Sequence, residues 1–231
     1  MILSTCSFSY CVFSAEEGNR HKYFYKEPVR RLNKFLLAFL SAFLLTVSLQ
    51  AATPHIDTAR TREKAKQALA FCRQKGFDTK YCILIDMSLP SGVKRFVVWD
   101  FGKNNILLSG LVSHGCGKMP WSGMWSKDKP VFSNADGSHC TPLGKYKINN
   151  RAYSAWGIHV KYYLDGLEST NSNALVRQIV FHSWEEVAEN DVYPFGTPEG
   201  WGCPAISNNT MKIIDGMLRK QKKHWLMWIY S

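Results

Sequence analysis

The chain has 231 residues and carries 29 Lys and Arg against 18 Asp and Glu, which gives it a formal net charge of +11 at pH 7. Hydrophobic residues make up 45% of the sequence. The basic residues are scattered and accompany no nucleic-acid-binding motif, so we expect no nucleic-acid partner. Basic charge favours an anionic envelope polymer as partner, although it equally serves solubility.

The first predicted element is a secretory signal peptide within residues 30–52. Two arginines precede an apolar run from Phe35 to Leu49, and small residues follow it. This run is shorter than the roughly 20 residues that span a bilayer, so we expect cleavage near Ala51 or Ala52 and no stable transmembrane anchor. An uncleaved anchor is the alternative. We therefore expect an exported protein of the periplasm or cell envelope.

Residues 1–28 are unusual, because a signal peptide normally begins only a few residues before its basic flank. We interpret residues 1–52 as an N-terminal extension and signal peptide, and hypothesise that translation begins at Val29 or Leu32. Without residues 1–52 the chain keeps 23 Lys and Arg against 15 Asp and Glu, a net charge of +8. The remaining length of about 180 residues predicts one well-packed domain, which we expect to be a monomer.

A helix is predicted at residues 58–76, within an N-terminal helical segment spanning residues 53–79. Ala65, Leu69 and Cys72 share one face of it, and a glycine stands at its end. This pattern is typical of a helix that packs on the rest of the domain through one side.

From residue 80 onward the pattern changes to short apolar runs separated by turn residues. Such runs predict strands, and their close spacing predicts an antiparallel, mainly β domain over residues 80–231. The predicted strands cover residues 81–86, 95–100, 106–112, 145–148, 157–160, 178–182 and 225–230. Before the last strand, Ser207 or Asn208 caps a helix with the basic run 219–223 in its last turn. If that helix begins towards Cys203, it would stabilise a thiolate there.

Five cysteines follow residue 52, and an odd number in an oxidising compartment leaves one thiol unpaired. If Cys203 is that thiol, the other four form two bridges. We favour Cys72–Cys82 and Cys116–Cys140 among the three connectivities, and four free buried thiols are the alternative. The cysteine spacing matches no zinc site, so we expect no metal and no cofactor.

The residues that carry chemistry are His182, in IVFHS at residues 179–183, and Cys203, in GWGCPA at residues 200–205. A cysteine nucleophile needs a nearby imidazole, because a thiol at its ordinary pKa is only a few per cent ionised at neutral pH. Gly202 lets the backbone approach a scissile carbonyl, whose oxygen the N–H groups of residues 202 and 203 would stabilise. The pair predicts cysteine acyl transfer, and a buried structural Cys and His are the alternative.

A third segment, TPLGKY at residues 141–146, precedes the His and Cys segments. Their order and spacing resemble the YkuD-type L,D-transpeptidase catalytic domain over about residues 80–210, and GCPA is similar to the murein L,D-transpeptidase branch. Residues 132–138 and 164–168 resemble companion motifs of that branch. The chain departs from the family at Gly200, where the family has Ser, and at Trp201, where many members have His. The resemblance implies a β-sandwich-like domain with a few peripheral helices.

The resemblance also implies roles. Cys203 is the nucleophile, His182 is the base, and the backbone carbonyl of Ser183 orients the imidazole. The main-chain N–H groups of Trp201, Gly202 and Cys203 are the oxyanion donors. The Trp201 side chain either lines the pocket or packs in the fold.

Three further residues are expected around the cleft. His114, in a His-Gly pair, is expected at its border as a substrate-side or structural residue. Ser133 and Asn134 lie in a polar loop and offer groups to a peptide. His159 is expected to be an ordinary strand residue.

The implied substrate is a peptidoglycan stem tetrapeptide, cleaved between the L-centre of its diamino acid and the following D-alanine. Cross-linking, exchange with a D-amino acid, carboxypeptidase hydrolysis and detachment of a wall-bound lipoprotein all remain open. An inactive wall-binding domain is the alternative of another class, favoured by Gly200. A papain-like peptidase is disfavoured, because there the Cys precedes the His in the chain.

Overall fold

The computed structural model describes residues 53–119 and 130–231. The interpreted signal peptide and start site therefore lie outside the described residues. Within the described ranges, no helix has the length and apolar character needed to cross a membrane. The division of the chain at residues 79 and 80 stays a prediction.

Eight strands of the described chain form one sheet, which confirms the predicted mainly β class. They are β1 (Tyr81–Asp86), β2 (Phe96–Asp100), β3 (Asn105–Gly110), β4 (Gly144–Tyr153), β5 (Val160–Gly166), β6 (Val180–Ser183), β7 (Ala205–Ile206) and β8 (Leu226–Tyr230). Their order in the sheet is β3-β2-β1-β8-β4-β5-β6-β7. Most pairings are antiparallel as predicted, but β1 with β8 and β6 with β7 are parallel.

The two edges of this sheet approach each other, so that it is nearly closed like a barrel. Val112, just beyond β3, forms an antiparallel bridge with Ile206 of β7. The backbone N–H of Ser113 donates to the Ala205 carbonyl over 2.9 Å. This junction lies two residues after Cys203, so closure of the sheet fixes the end of the Cys203 segment.

Alternation along the strands creates two apolar clusters, one on each face of the sheet. On β1, Ile83 and Ile85 belong to the larger cluster, whereas Cys82 and Leu84 belong to the smaller one. The larger cluster is covered by the second helix, and the smaller one by the first. Both helices are therefore peripheral, as predicted.

The first helix, α1 (Thr58–Lys75), begins after Asp57, whose carboxylate accepts from the N–H groups of residues 59 and 60. It ends at Gly76, whose φ of 75° is the left-handed value that glycine adopts readily. Ala65, Ala68 and Cys72 are its buried apolar residues. Ala68 thus takes the buried position that was predicted for Leu69, which is only partly buried.

The second helix, α2 (Asn208–Leu218), is capped by Ser207 and buries Met211, Ile214 and Leu218. Its last turn contains no basic residue, because the helix ends at Leu218 and the basic run follows it. The prediction that residues 219–223 lie in the last turn is therefore wrong.

Two further sequence predictions are corrected by the structure. Residues 157–159 form a turn rather than a strand, since Gly157 and His159 both have positive φ, 60° and 59°. All five cysteines of the described residues are free, so the predicted bridges Cys72–Cys82 and Cys116–Cys140 are not formed. Burial raises the pKa of Cys72 to about 12, and this thiol packs as an apolar group in the smaller cluster.

Candidate active site

The Cys203 segment is positioned by the parallel pairing of β6 with β7. In this register His182 is opposite Ala205, so Cys203 lies beside the beginning of β6. The Cys203 Sγ accepts a hydrogen bond from the Val180 N–H at 3.4 Å and lies 3.6 Å from the Gln178 carbonyl oxygen. The sulfur, which is partly buried, therefore contacts the strand that carries His182.

His182 is held by the backbone that follows it. Its Nδ1 lies 2.9 Å from the Ser183 carbonyl oxygen. A carbonyl can only accept, so Nδ1 must carry the proton, and Nε2 keeps its lone pair. The neighbouring strand places Lys161 opposite His182. This arrangement supplies an imidazole in the tautomer that a general base requires.

Electrostatics keep both groups neutral at rest. Burial lowers the pKa of His182, and Lys161 lowers it further, against the opposing effects of the Ser183 carbonyl and Glu185. Burial raises the pKa of Cys203, and the Val180 N–H, Arg177 and Lys161 only partly offset it. Both shifts favour the neutral forms, a thiol on Cys203 and an imidazole on His182.

Gly202 has the backbone that only glycine adopts without strain. Its φ is 104°, and a Cβ there would lie 2.4 Å from the Cys140 carbonyl oxygen. The chain thus makes a tight turn against another loop immediately before the sulfur. Trp201, next to it, is 59% exposed and stacks on His139 with ring centroids 4.9 Å apart. Its indole both packs on that loop and presents surface beside the cysteine.

Arg177 hydrogen-bonds to the loop that contains Cys140. The sequence analysis did not identify it as a site residue. Its guanidinium donates to the carbonyl oxygens of Ser133 and Cys140, at 2.8 and 2.7 Å. It also lowers the pKa of Cys203, as expected of a nearby cation. No motif marks this arginine, because its partners are backbone carbonyls brought together only by the fold.

The loop residues proposed for substrate contact are engaged within the protein. Asn134 donates to the Ser169 carbonyl and the Ser172 hydroxyl, and its side-chain oxygen accepts from the Asn173 N–H. Ser133 Oγ accepts from the Ala135 N–H. Asn134 therefore joins two loops, whereas the Ser133 hydroxyl stabilises its own loop. The role of both residues in substrate contact stays a prediction.

The side chain of His114 is buried, with only 2% of the residue exposed. Arg95 Nη2 lies 2.9 Å from its Nδ1, and Glu199 Oε1 lies 3.4 Å from its Nε2. This burial favours the structural alternative for His114, and its contact with substrate stays a prediction. A buried Arg and Glu at its two nitrogens could not be read from the His-Gly pair, because all three residues are distant in sequence.

The first amides of α2 are not directed at the sulfur. Ser207 Oγ accepts from the Thr210 N–H, and Glu189 accepts from the Asn209 N–H at 3.1 Å. The helix therefore begins against Ser207 and Glu189, and the expected stabilisation of a thiolate by this helix is not supported. Within residues 53–119 and 130–231, no cluster of three His, Cys, Asp or Glu side chains could hold a metal ion.

Comparison with known proteins identifies the family of this chain. The sequence model of the L,D-transpeptidase catalytic domain matches residues 53–230. No curated protein matches the chain. Similar solved structures include the helical cell shape determining protein Pgp2 of Campylobacter jejuni, at 13% identity and a TM-score of 0.42 over 65% of this chain and 47% of that one. The chain thus spans about half the length of Pgp2.

A second similar structure is an L,D-transpeptidase of Xylanimonas cellulosilytica. It is 11% identical to this chain, with a TM-score of 0.36 over 70% of this chain and 68% of that one. Both structural likenesses are distant, so the family match rests on the sequence model.

Proposed function

Because the chain belongs to the L,D-transpeptidase catalytic domain family, we propose that it transfers acyl groups of peptidoglycan stem peptides through a thioester on Cys203. Family membership makes it a peptidoglycan-related enzyme domain. The observation that carries the finer assignment is the Nδ1 hydrogen bond of His182 to the Ser183 carbonyl, with the Cys203 sulfur against the same strand.

Acylation starts from the neutral pair. His182 Nε2 takes the thiol proton as Sγ attacks the carbonyl carbon at the L-centre of the diamino acid. The main-chain N–H groups of Gly202 and Cys203 are the donors proposed for the developing oxyanion, since they belong to the sulfur-bearing residue and to the residue before it. The C–N bond then breaks, D-alanine leaves with the proton from His182, and a thioester remains on Cys203.

Deacylation reverses these roles. An amine of a second stem peptide attacks the thioester, gives a proton to His182 and leaves an amide cross-link, while the sulfur recovers its proton. A free D-amino acid gives exchange by the same step, and water gives carboxypeptidase activity. Cleavage of a lipoprotein from the same L-centre requires no additional chemistry from the protein.

Two cations that act electrostatically on Cys203 suit a substrate with carboxylates. Arg177 and Lys161 both lower the pKa of Cys203, although burial outweighs them. Stem peptides carry carboxylates near the scissile bond, so these cations favour their approach. Such a substrate occurs in the cell envelope, which agrees with the proposed export of the chain to the periplasm.

Release of D-alanine from purified tetrapeptide muropeptides tests this function. We expect Cys203→Ala and His182→Ala to lower the rate about 10³-fold or more, as removal of a catalytic nucleophile or base does. Cys72→Ala is the matched control, because it removes a sulfur from the smaller cluster on the opposite face of the sheet. An unchanged rate in Cys203→Ala would show that the nucleophile is misassigned. No release by the parental protein would favour the inactive wall-binding alternative.

A further inference from the structure

Arg95, His114 and Glu199 form a buried chain of polar groups behind the Cys203 segment. Their exposed fractions are 1%, 2% and 8%. Arg95 Nη2 is 2.9 Å from His114 Nδ1, and His114 Nε2 is 3.4 Å from Glu199 Oε1. The imidazole thus lies between a buried guanidinium and a buried carboxylate.

The order of donors along this chain follows from chemistry. A guanidinium only donates hydrogen bonds, so His114 Nδ1 must accept from Arg95. The neutral imidazole then carries its proton on Nε2 and presents it to the Glu199 carboxylate. Burial lowers the pKa of His114, which agrees with a neutral ring, although Glu199 opposes this shift. The neutral ring therefore accepts from Arg95 on one side and donates to Glu199 on the other, so that Arg95 fixes the position of Glu199 through the ring.

Arg95 is firmly placed at the first end. Its Nε and Nη2 donate to the Val112 carbonyl at 3.3 and 2.9 Å, and its Nη1 donates to the Leu89 carbonyl at 3.0 Å. It precedes β2 directly, so the sheet itself fixes its backbone. Burial lowers the pKa of Arg95 to about 9, with Asp86 acting in the opposite direction, so the guanidinium is charged at neutral pH.

Glu199, at the other end of this row of polar residues, is the first residue of the nucleophile segment, residues 199–205. Glu199 directly precedes Gly200, whose N–H donates to the His114 carbonyl at 2.9 Å. The Gly200 carbonyl accepts from the Cys116 N–H at 2.8 Å. His114 therefore holds residues 199 and 200 through both its side chain and its backbone.

The far end of the same segment is held by the residue before His114. Ser113 Oγ accepts from the Ala205 N–H at 3.1 Å and lies 3.4 Å from the Cys203 carbonyl oxygen. Residues 113 and 114 thus hold the nucleophile segment on both sides of the Gly202 turn. Only two residues, Trp201 and Gly202, lie between the held Gly200 and the sulfur-bearing residue.

We propose that Arg95, His114 and Glu199 are positioning residues that fix the Gly200–Cys203 segment for acyl transfer. They do not touch the substrate, and they act by holding the backbone that precedes Cys203. This inference rests on the proposed function for its kinetic consequence but not for its structural one. Misplacement of a reacting group by about 1 Å can cost about 100-fold in rate, so a loosened segment lowers kcat.

The test compares Glu199→Ala with Glu199→Gln and with the control Glu186→Ala. Ala removes the acceptor for His114, whereas Gln keeps an oxygen at the same reach. Glu186 is exposed and is not one of the three residues of the buried polar group. Each variant is measured by D-alanine release from tetrapeptide muropeptides and by hydrogen exchange of peptides covering residues 199–206. Thermal unfolding checks that each variant is folded.

We expect Glu199→Ala to lower kcat about 10- to 100-fold with KM within about twofold, since the substrate contacts are retained. Exchange in residues 199–206 should become about tenfold faster or more, as in a locally opened segment. Glu199→Gln should restore both values to within about threefold of the parental protein, because a neutral acceptor still pairs with the imidazole. Glu186→Ala should match the parental protein.

The proposal would be overturned by a folded Glu199→Ala protein whose hydrogen exchange and kcat equal those of the parental protein. It would also be overturned if Glu199→Ala and Glu199→Gln changed hydrogen exchange and kcat equally. If Glu199→Ala does not fold, Glu199→Asp gives the same test, because it withdraws the carboxylate by one methylene. If the parental protein releases no D-alanine, the proposed function fails, while the exchange comparison still decides whether this chain of residues holds the segment.

Discussion

Two glycines in the Gly200–Cys203 segment are predicted to respond oppositely to substitution by alanine. Gly202 has a φ of 104°, and a Cβ there would approach the Cys140 carbonyl oxygen to 2.4 Å. Gly200 has no positive φ, and a Cβ built on it meets no atom within 4 Å. The pair stands two residues apart, so each variant controls for general effects of mutating this segment.

The size of the effect at Gly202 has two sources. A left-handed backbone costs a residue with a Cβ about 1–2 kcal/mol. Overlap with a backbone oxygen, which cannot rotate away, adds about 1–3 kcal/mol. Gly202→Ala should therefore lose about 2–5 kcal/mol of the free energy of unfolding. For a domain of this size each kcal/mol lowers Tm by about 2–4 °C. Gly200→Ala should instead gain about 0.4–1 kcal/mol, because it restricts only the unfolded chain.

Thermal unfolding of the two purified variants, followed by circular dichroism, measures this difference. D-alanine release measured in parallel should fall in Gly202→Ala, since relief of the overlap must move the turn that precedes Cys203. Equal Tm values for the two variants, or a greater loss in Gly200→Ala, would refute the turn geometry.

Two other predictions concern His182 and its neighbour. Ser183→Ala should keep most activity because the orienting carbonyl remains, yet lose about 1–3 kcal/mol of stability, because the Ile158 N–H loses its acceptor Ser183 Oγ at 3.1 Å. An activity loss as large as that of His182→Ala would mean that the hydroxyl, not the carbonyl, supports the base. Burial lowers the pKa of His182, so its neutral form persists below the ordinary histidine range. The acid limb of the kcat/KM profile should therefore have its midpoint below pH 6.5, and a midpoint at or above that value contradicts the assigned environment.

The parts of the fold that were predictable from sequence depend on local patterns. A short apolar run predicted β1 in full, and Gly76 predicted the end of α1. The strand prediction was wrong for residues 157–159. Apolar residues alternate there, but two residues have positive φ, which such an alternation does not reveal. Parallel pairing of β6 with β7 depends on contacts between distant segments, and no local pattern encodes it.

The site divides in the same way. His182 and Cys203 stand in short motifs whose residue types already indicate chemistry. The partners Arg177 and Arg95 bind backbone carbonyls and a buried ring nitrogen, so their function depends on where the fold brings them. Arg95 directly precedes a strand of apolar residues, and this position was the available signal. A charged side chain beside a buried strand requires partners inside the protein.

Intact-mass measurement of the protein after brief reaction with a tetrapeptide stem tests the central assignment most directly. We expect an adduct equal to the stem without its D-alanine, carried on Cys203 and absent from Cys203→Ala. His182→Ala should form this adduct far more slowly, because its thiol has no base. An adduct on another residue, or release of D-alanine by Cys203→Ala at the parental rate, would contradict acyl transfer through Cys203.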